Sequence, residues 1–225
     1  MKAMVLAAGL GTRLRPLTNT RPKALVEVHG RTLLEITLER LKTFGVREVI
    51  VNVHHFADMV VDYLRTNGNF GMEIEISRED TLLDTGGGLK KAGWFFAGNP
   101  DEPFILHNAD VISTIDLERM RRFHIEHGAL ATLAVQDRPT SRYLLFDEDS
   151  RLCGRSPTPD PQFQSLAFSG IHVISPRFLT MMGDEEVFSI IPCYLDVAAR
   201  GEKVLAFRAD EYEWKDMGKP ENLKK

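Results

Sequence analysis

Two hydrophobic periods alternate along the first two-thirds of the chain. Lys2 to Ala8 is a short apolar run of strand character, ended by Gly9 and Gly11. Thr32 to Phe44 predicts a helix with Leu34, Leu38 and Leu41 on one face. Thr32 with Glu35 spells a capping box, and Gly45 stands where a C-terminal cap belongs. Glu48 to Val53 is rich in strand formers. The helix predicted after it carries Phe56, Met59, Val60, Tyr63 and Leu64 at i, i+3, i+4, i+7 and i+8, and Asn67-Gly68 stops it. Met72 to Ser77 alternates as a half-buried strand, Leu89 to Phe96 reads as helix, and Phe104 to Asn108 as a buried strand. A helix from Asp116 to His127 buries Leu117, Met120 and His124, and Leu130 to Val135 returns to the sheet.

Strands alternating with helices in this order imply a mostly parallel sheet covered on both faces. Beyond Val135 the texture changes. Arg142 to Phe146 predicts an edge strand, and Arg155 to Gln162, with Pro157, Pro159 and Pro161, an extended loop. Leu166 to Ile174 predicts a strand, Val187 to Arg200 a helix and Lys203 to Arg208 a last strand. With no internal repeat or linker in the pattern, 1–225 is expected to form a single α/β domain.

Charge and composition narrow the partners. Lys and Arg total 28 against 32 Asp and Glu, a net charge of -4. That balance provides no overall basic surface for nucleic acid, so a polyanionic ligand needs a local site. Cys153 and Cys193 lack CxxC spacing and make no disulfide framework, which points to a reduced, cytoplasmic setting. No secretory leader is visible, and no apolar run reaches the roughly 20 residues of a membrane span, so no membrane partner is expected. The seven histidines show no HExxH or Cys/His cluster, and His54-His55 lacks a serine elbow or cysteine partner.

The chemistry concentrates after the first strand, in Leu6-Ala7-Ala8-Gly9-Leu10-Gly11-Thr12-Arg13-Leu14. Ligands of open α/β sheets sit at this strand edge, and small residues let one approach the backbone amides. A Rossmann fingerprint would need a small residue where Leu14 stands, and no Gly-Lys followed by Ser or Thr completes a P-loop. What remains is a glycine turn bearing Arg13, with Lys23 in the short loop Arg21-Pro22-Lys23-Ala24-Leu25. Two fixed cations beside a phosphate-sized turn suit a triphosphate. Taken alone, Asp110 at the end of the fourth strand reads equally as a loop cap, and Asp216 as a turn aspartate before Gly218.

Leu6 to Thr18 together with Arg21 to Leu25 resembles the signature of the sugar-1-phosphate nucleotidylyltransferase family. The likeness continues through Asp84-Thr85-Gly86-Gly87-Gly88, His107-Asn108-Ala109-Asp110, Phe168-Ser169-Gly170 and Trp214-Lys215-Asp216-Met217-Gly218, in the family's order. Ala109 departs from the glycine that many relatives carry there.

The resemblance implies a Rossmann-like three-layer α/β/α sandwich with a mixed, mostly parallel sheet, of the GT-A-like nucleotidyltransferase kind. It divides the chain into a nucleotide-binding half, 1–135, and a sugar-binding, metal-completing half, 136–225. It implies Arg13, Lys23, Asp110 and Asp216 as catalytic residues, the two aspartates holding Mg2+. Leu6, Ala7, Ala8, Gly9, Gly11, Thr12, Arg13, Lys23, Gly87 and Asn108 would bind the nucleotide. Ser169, Gly170 and Trp214 would line the sugar pocket, with Trp214 packing on a sugar face.

The activity implied is transfer of a nucleotidyl group from an NTP to a sugar 1-phosphate. The short form most resembles N-acetylmuramate-1-phosphate uridylyltransferases, with mannose-1-phosphate guanylyltransferases as the alternative. A catalytically silent nucleotide-binding regulatory protein is the rival of another class. Assembly is expected to be a monomer or small homo-oligomer.

Overall fold

The computed structural model describes residues 1–223. β1 (Lys2–Leu6) leads through three short 3-10 turns to β2 (Glu27–Val28) and β3 (Arg31–Thr32), a two-stranded hairpin. There follow α1 (Leu33–Thr43), β4 (Glu48–Val53), α2 (Ala57–Thr66), β5 (Glu73–Arg78), α3 (Asp84–Ala92) and β6 (Phe104–Asn108). β7 (Val111–Ser113), α4 (Leu117–Glu126), β8 (Ala131–Gln136), β9 (Tyr143–Phe146) and β10 (Leu152–Ser156) come next. The chain ends through β11 (Gln164–Ile174), α5 (Ile190–Ala199), β12 (Val204–Arg208), β13 (Trp214–Asp216) and the short α6 (Pro220–Leu223).

Nine strands form the central sheet, in the path β10-β9-β11-β6-β1-β4-β5, with β8 on the other side of β11 and β12 beyond it. β1 pairs parallel with β4 and β6, β4 with β5, and β8 with β12. β11 runs antiparallel to β6, β8 and β9, so the sheet is mixed. Successive residues of a strand face opposite sides, and the core divides accordingly. Ala3, Val5, Val49 and Val51 pack with Leu38 of α1, Val60 of α2 and Met120 of α4. Met4, Ile50 and Leu106 pack with Leu89 of α3 and Tyr194 of α5 on the other side. A strand buried on both faces needs a continuous apolar run, and that is why β1 and β4 show no alternation.

Local signals set most boundaries. Thr32 Oγ1 accepts from Glu35 N at 3.0 Å, but the Glu35 carboxylate goes to Arg31 and Tyr63, so only half the capping box forms. At the other end of α1, Gly45 takes φ 78°, while Gly45 N and Val46 N donate to Lys42 O and Leu41 O. This is a Schellman closure.

Four expectations change. α2 buries Val60 and Leu64 but leaves Met59 41% exposed, and Phe56 caps it from outside the helix at φ 58°. α3 begins at Asp84, so the three glycines lie inside a helix rather than in a loop before it. β9 is not an edge: β10 flanks it, taking up Arg155 and Ser156 that the prolines had marked as loop. α5 starts at Ile190: its N-cap Ser189 is extended, and the backbone oxygen of Phe188 before it accepts from Gly86 N and Gly87 N.

Candidate active site

β1 runs out at Leu6, and Ala7 to Gly9 cross the carboxyl ends of the parallel strands. Ala7 N donates to Asn52 Oδ1 at 2.7 Å, Asn52 Nδ2 to Glu79 Oε1 at 2.7 Å, and Leu83 N to Glu79 Oε2 at 3.0 Å. Asn52 and Glu79 are 2% and 4% exposed. This buried relay ties the glycine turn to the end of β4 and the entry of α3. Sequence reasoning missed it; the one available signal was the asparagine that interrupts the apolar run Val49 to Val53. Gly11, at φ 64°, sits so that a Cβ would come 2.9 Å from Thr18 Cγ2 and 3.0 Å from Lys23 Cβ. Thr18 Oγ1 donates to Gly11 O at 2.8 Å. The turn is thereby pinned to the segment carrying Lys23.

Asp110 follows β6, and the Lys23 ammonium pairs with its carboxylate. β13 lies antiparallel to β7 with Asp216 opposite Val111, and Met217 N donates to Asp110 O at 2.8 Å. Asp216 Oδ1 accepts from Gly218 N at 2.9 Å, and its Oδ2 lies 3.5 Å from Arg13 Nη1. A Cβ on Gly218 would stand 2.6 Å from Lys23 Nζ, 2.7 Å from Arg13 Nη2 and 2.8 Å from Asp110 Oδ2. Four side chains from distant parts of the sequence therefore gather around one glycine.

Two cavities meet there. The smaller, about 480 Å³, is lined by Leu6, Ala7, Ala8, Gly9 and Lys23, with Asp84, Thr85 and Val187 among the residues on its other walls. The larger, about 1150 Å³, is lined by Arg13, Ser169, Gly170, Trp214 and Asp216, and by parts of β9 and β10. Asn108 and Asp110 belong to both. Gly170 takes φ 76° where the β11 register against β8 shifts, and a Cβ there would meet Asn108 Nδ2 at 2.8 Å. The bulge and its glycine make room for Asn108.

Three of the expected site residues line neither cavity. Gly11 and Thr12 serve the turn. Gly87 is buried under the Glu186 carbonyl, which a Cβ would strike, so its lack of a side chain serves the packing of α3. Trp214 lines the larger cavity and is also tied into the bulge. Its Nε1 donates to Ser169 O at 2.7 Å, and the Arg138 guanidinium stacks 3.8 Å from its ring centroid. These contacts brace the bulge and cover one ring face. Arg138 Nη2 donates to Phe168 O at 2.6 Å, and burial pulls this guanidinium below its ordinary pKa while Asp216 opposes that shift. The segment from Asp137 to Gln164, which carries none of the family's motifs, thus supplies part of the cavity wall.

The donor set at the junction suits a hard divalent cation. Asp110 and Asp216 bring carboxylate oxygens to one place, and such ions are commonly held by one or two carboxylates with substrate phosphates completing the shell. Lys23 and Arg13 neutralise those carboxylates in this structure. Among the described residues no group of three or more His, Cys, Asp or Glu is placed to hold a metal. None of the helices is long and apolar enough to cross a membrane, again among the described residues.

Residues 2–225 match the family model described as Nucleotidyl transferase. The chain is 36% identical to an N-acetylmuramate alpha-1-phosphate uridylyltransferase of Caulobacter vibrioides, over 97% of this chain and 92% of that protein. It is 31% identical to the mannose-1-phosphate guanylyltransferase catalytic subunit beta of Drosophila pseudoobscura pseudoobscura, over 99% of this chain but only 60% of that protein. Its fold matches the crystal structure of HddC from Yersinia pseudotuberculosis complexed with GMP-PN, at a TM-score of 0.81 and 22% identity, over 99% and 96% of the two chains.

Proposed function

The chain belongs to the nucleotidyl transferase family, and on that premise we propose that it joins UTP to N-acetylmuramate 1-phosphate, giving the UDP-sugar and pyrophosphate. The observation that carries this reading is the gathering of Arg13, Lys23, Asp110 and Asp216 around Gly218, where the two cavities meet. The smaller cavity takes the nucleotide along Leu6 to Gly9, and the larger takes the sugar 1-phosphate. Residues 1–135 then form the nucleotide half of one unit and residues 136–225 its sugar and metal-completing half.

A phosphate oxygen of the sugar 1-phosphate attacks the α-phosphorus in line. The new O–P bond forms as the bond to the β-phosphate oxygen breaks, and pyrophosphate leaves with that electron pair. The nucleophile is already anionic, so no general base is required, and catalysis reduces to alignment and charge neutralisation. Lys23 leaves Asp110 to bind at the α-phosphate, where charge grows in the transition state. Arg13 steadies the β- and γ-phosphates. Asn108, on both walls, orients ribose or phosphate, and the Asn52–Glu79 relay holds the Ala7 amide in place. Mg2+, held by Asp110 and Asp216, supplies neutralisation of phosphate charge when bound.

The uridylyl assignment is supported by the relative that matches at 36% identity over nearly its whole length. A guanylyltransferase acting on mannose 1-phosphate is the second reading, supported by the 31% relative. The presence of Arg13, Lys23, Asp110 and Asp216 together favours an enzyme over a silent regulatory protein. N-acetylmuramate is a cell-wall sugar, and we place the reaction in the cytoplasm, in keeping with the free thiols of Cys153 and Cys193.

The test is a matrix of the common NTPs and dTTP against several sugar 1-phosphates, read as pyrophosphate release. UTP with N-acetylmuramate 1-phosphate is expected to give the highest kcat/KM. Lys23→Ala and Asp216→Asn are each expected to cost about 100-fold or more in kcat; near-normal rates in either would refute these roles.

A further inference from the structure

The larger cavity carries more positive charge than an anomeric phosphate accounts for. Arg13, Arg138, Arg142, Arg155 and Lys219 line it, against only Asp110 and Asp216. Arg13 is engaged by Asp216, and Arg138 by the Trp214 ring and Phe168 O. Arg142 and Arg155 have no carboxylate within ion-pair distance among the described residues.

Their placement is set by the hairpin. β9 and β10 pair antiparallel with Arg155 opposite Leu144, and Arg142 lies two residues before Leu144. Side chains directly opposite each other share a face. Arg155 therefore stands on the side that carries Leu144, itself part of the cavity wall, and Arg142, in the segment leading into β9, lines the same cavity. That wall comes from a different part of the chain than Asp110 and Asp216. The heavy atoms nearest a Cβ on Gly218 are those of Lys23, Arg13 and Asp110, and neither Arg142 nor Arg155 is among them.

We propose that the sugar accepted here bears a carboxylate of its own, away from the anomeric phosphate, and that Arg142 and Arg155 recognise it. Each guanidinium presents a planar fork that matches a carboxylate bidentately, which a lysine point charge does not. A neutral sugar would leave both forks facing only water. This inference rests on the nucleotidyl-transfer reading above and makes Arg142 and Arg155 specificity residues, not catalytic ones.

The experiment compares kcat/KM for N-acetylmuramate 1-phosphate and N-acetylglucosamine 1-phosphate, which differ by the lactyl carboxylate, in the wild type, Arg142→Gln, Arg155→Gln and the double variant. The wild type is expected to favour the acidic sugar. Each single substitution should reduce that preference by about 10- to 100-fold, through KM for the acidic sugar. Arg155→Lys should recover part of the loss, since it restores the charge without the fork. Both positions are exposed, so unfolding of the variants is not expected, and thermal melts check this.

Turnover indifferent to the carboxylate in the wild type, or equal losses with both sugars, would overturn this inference and leave the transferase reading standing. No pyrophosphate from any sugar 1-phosphate would overturn the transferase reading and the inference with it.

Discussion

Gly218→Ala isolates the claim that four charged groups meet at one point. The added methyl would stand 2.6 Å from Lys23 Nζ, 2.7 Å from Arg13 Nη2 and 2.8 Å from Asp110 Oδ2. Ordinary contact is roughly 3.5 Å, so each group must retreat by about 0.7–0.9 Å. All three are ends of side chains and can swing away without moving the backbone. Gly218 is not among the positive-φ residues, so alanine fits its backbone conformation and reduces the entropy of the unfolded chain. Stability is therefore expected to stay within about 1 kcal/mol of wild type, a shift of about 2–4 °C in Tm for a chain of this size. Activity should respond far more, because a displacement near 1 Å at a reaction centre costs about 100-fold in rate, or about 2.7 kcal/mol of barrier. The assay is steady-state pyrophosphate release with a melting curve on the same preparation. Gly183→Ala serves as control, since a Cβ there meets nothing within 4 Å. A Gly218→Ala enzyme with kcat within about threefold of wild type would refute the convergence.

Three further outcomes follow from other parts of the molecule. Gly87→Ala drives a methyl into the Glu186 carbonyl, which is backbone and cannot swing aside; overpacking of this kind should cost about 3 kcal/mol, seen as a Tm lower by about 6–12 °C. Asn52→Ala strips a partner from the buried Glu79 carboxylate and from Ala7 N, so a loss of about 3 kcal/mol is expected in urea titration, with a raised KM for the nucleotide. Burial pushes His107 and His124 to about 4 and His172 to about 3, against 6.5 unperturbed. Between pH 6.5 and about 4 the unfolded chain therefore binds more protons than the folded one. Stability should fall as pH drops through that window, by up to about 1.4 kcal/mol per unit for each histidine. Melts at pH 7, 6 and 5 test this, and an unchanged Tm would contradict it.

Much of this molecule is legible in one dimension because its elements are locally specified. β1, β4 and β6 are apolar runs that only a sheet covered on both faces can bury. Thr32 and Gly45 bracket α1 with groups that satisfy its own free amides and carbonyls. The glycine turn with Arg13 and Lys23 announces phosphate chemistry, since small residues and fixed cations are what a triphosphate demands. Tertiary structure decided the rest, through contacts with no local signature. Asp216 reaches Asp110 only because β13 pairs with β7. Gly86 and Gly87 of α3 are explained by Phe188 and Glu186, about a hundred residues further on, and Gly88 by the buried Asn52 and Glu79. Trp214 is held in the cavity wall by Arg138 and Ser169 O, and the segment of Arg138 carries no motif. Periodicity and capping act over a few residues and can be read along the chain, whereas a site assembled from separate loops depends on how the sheet brings their ends together.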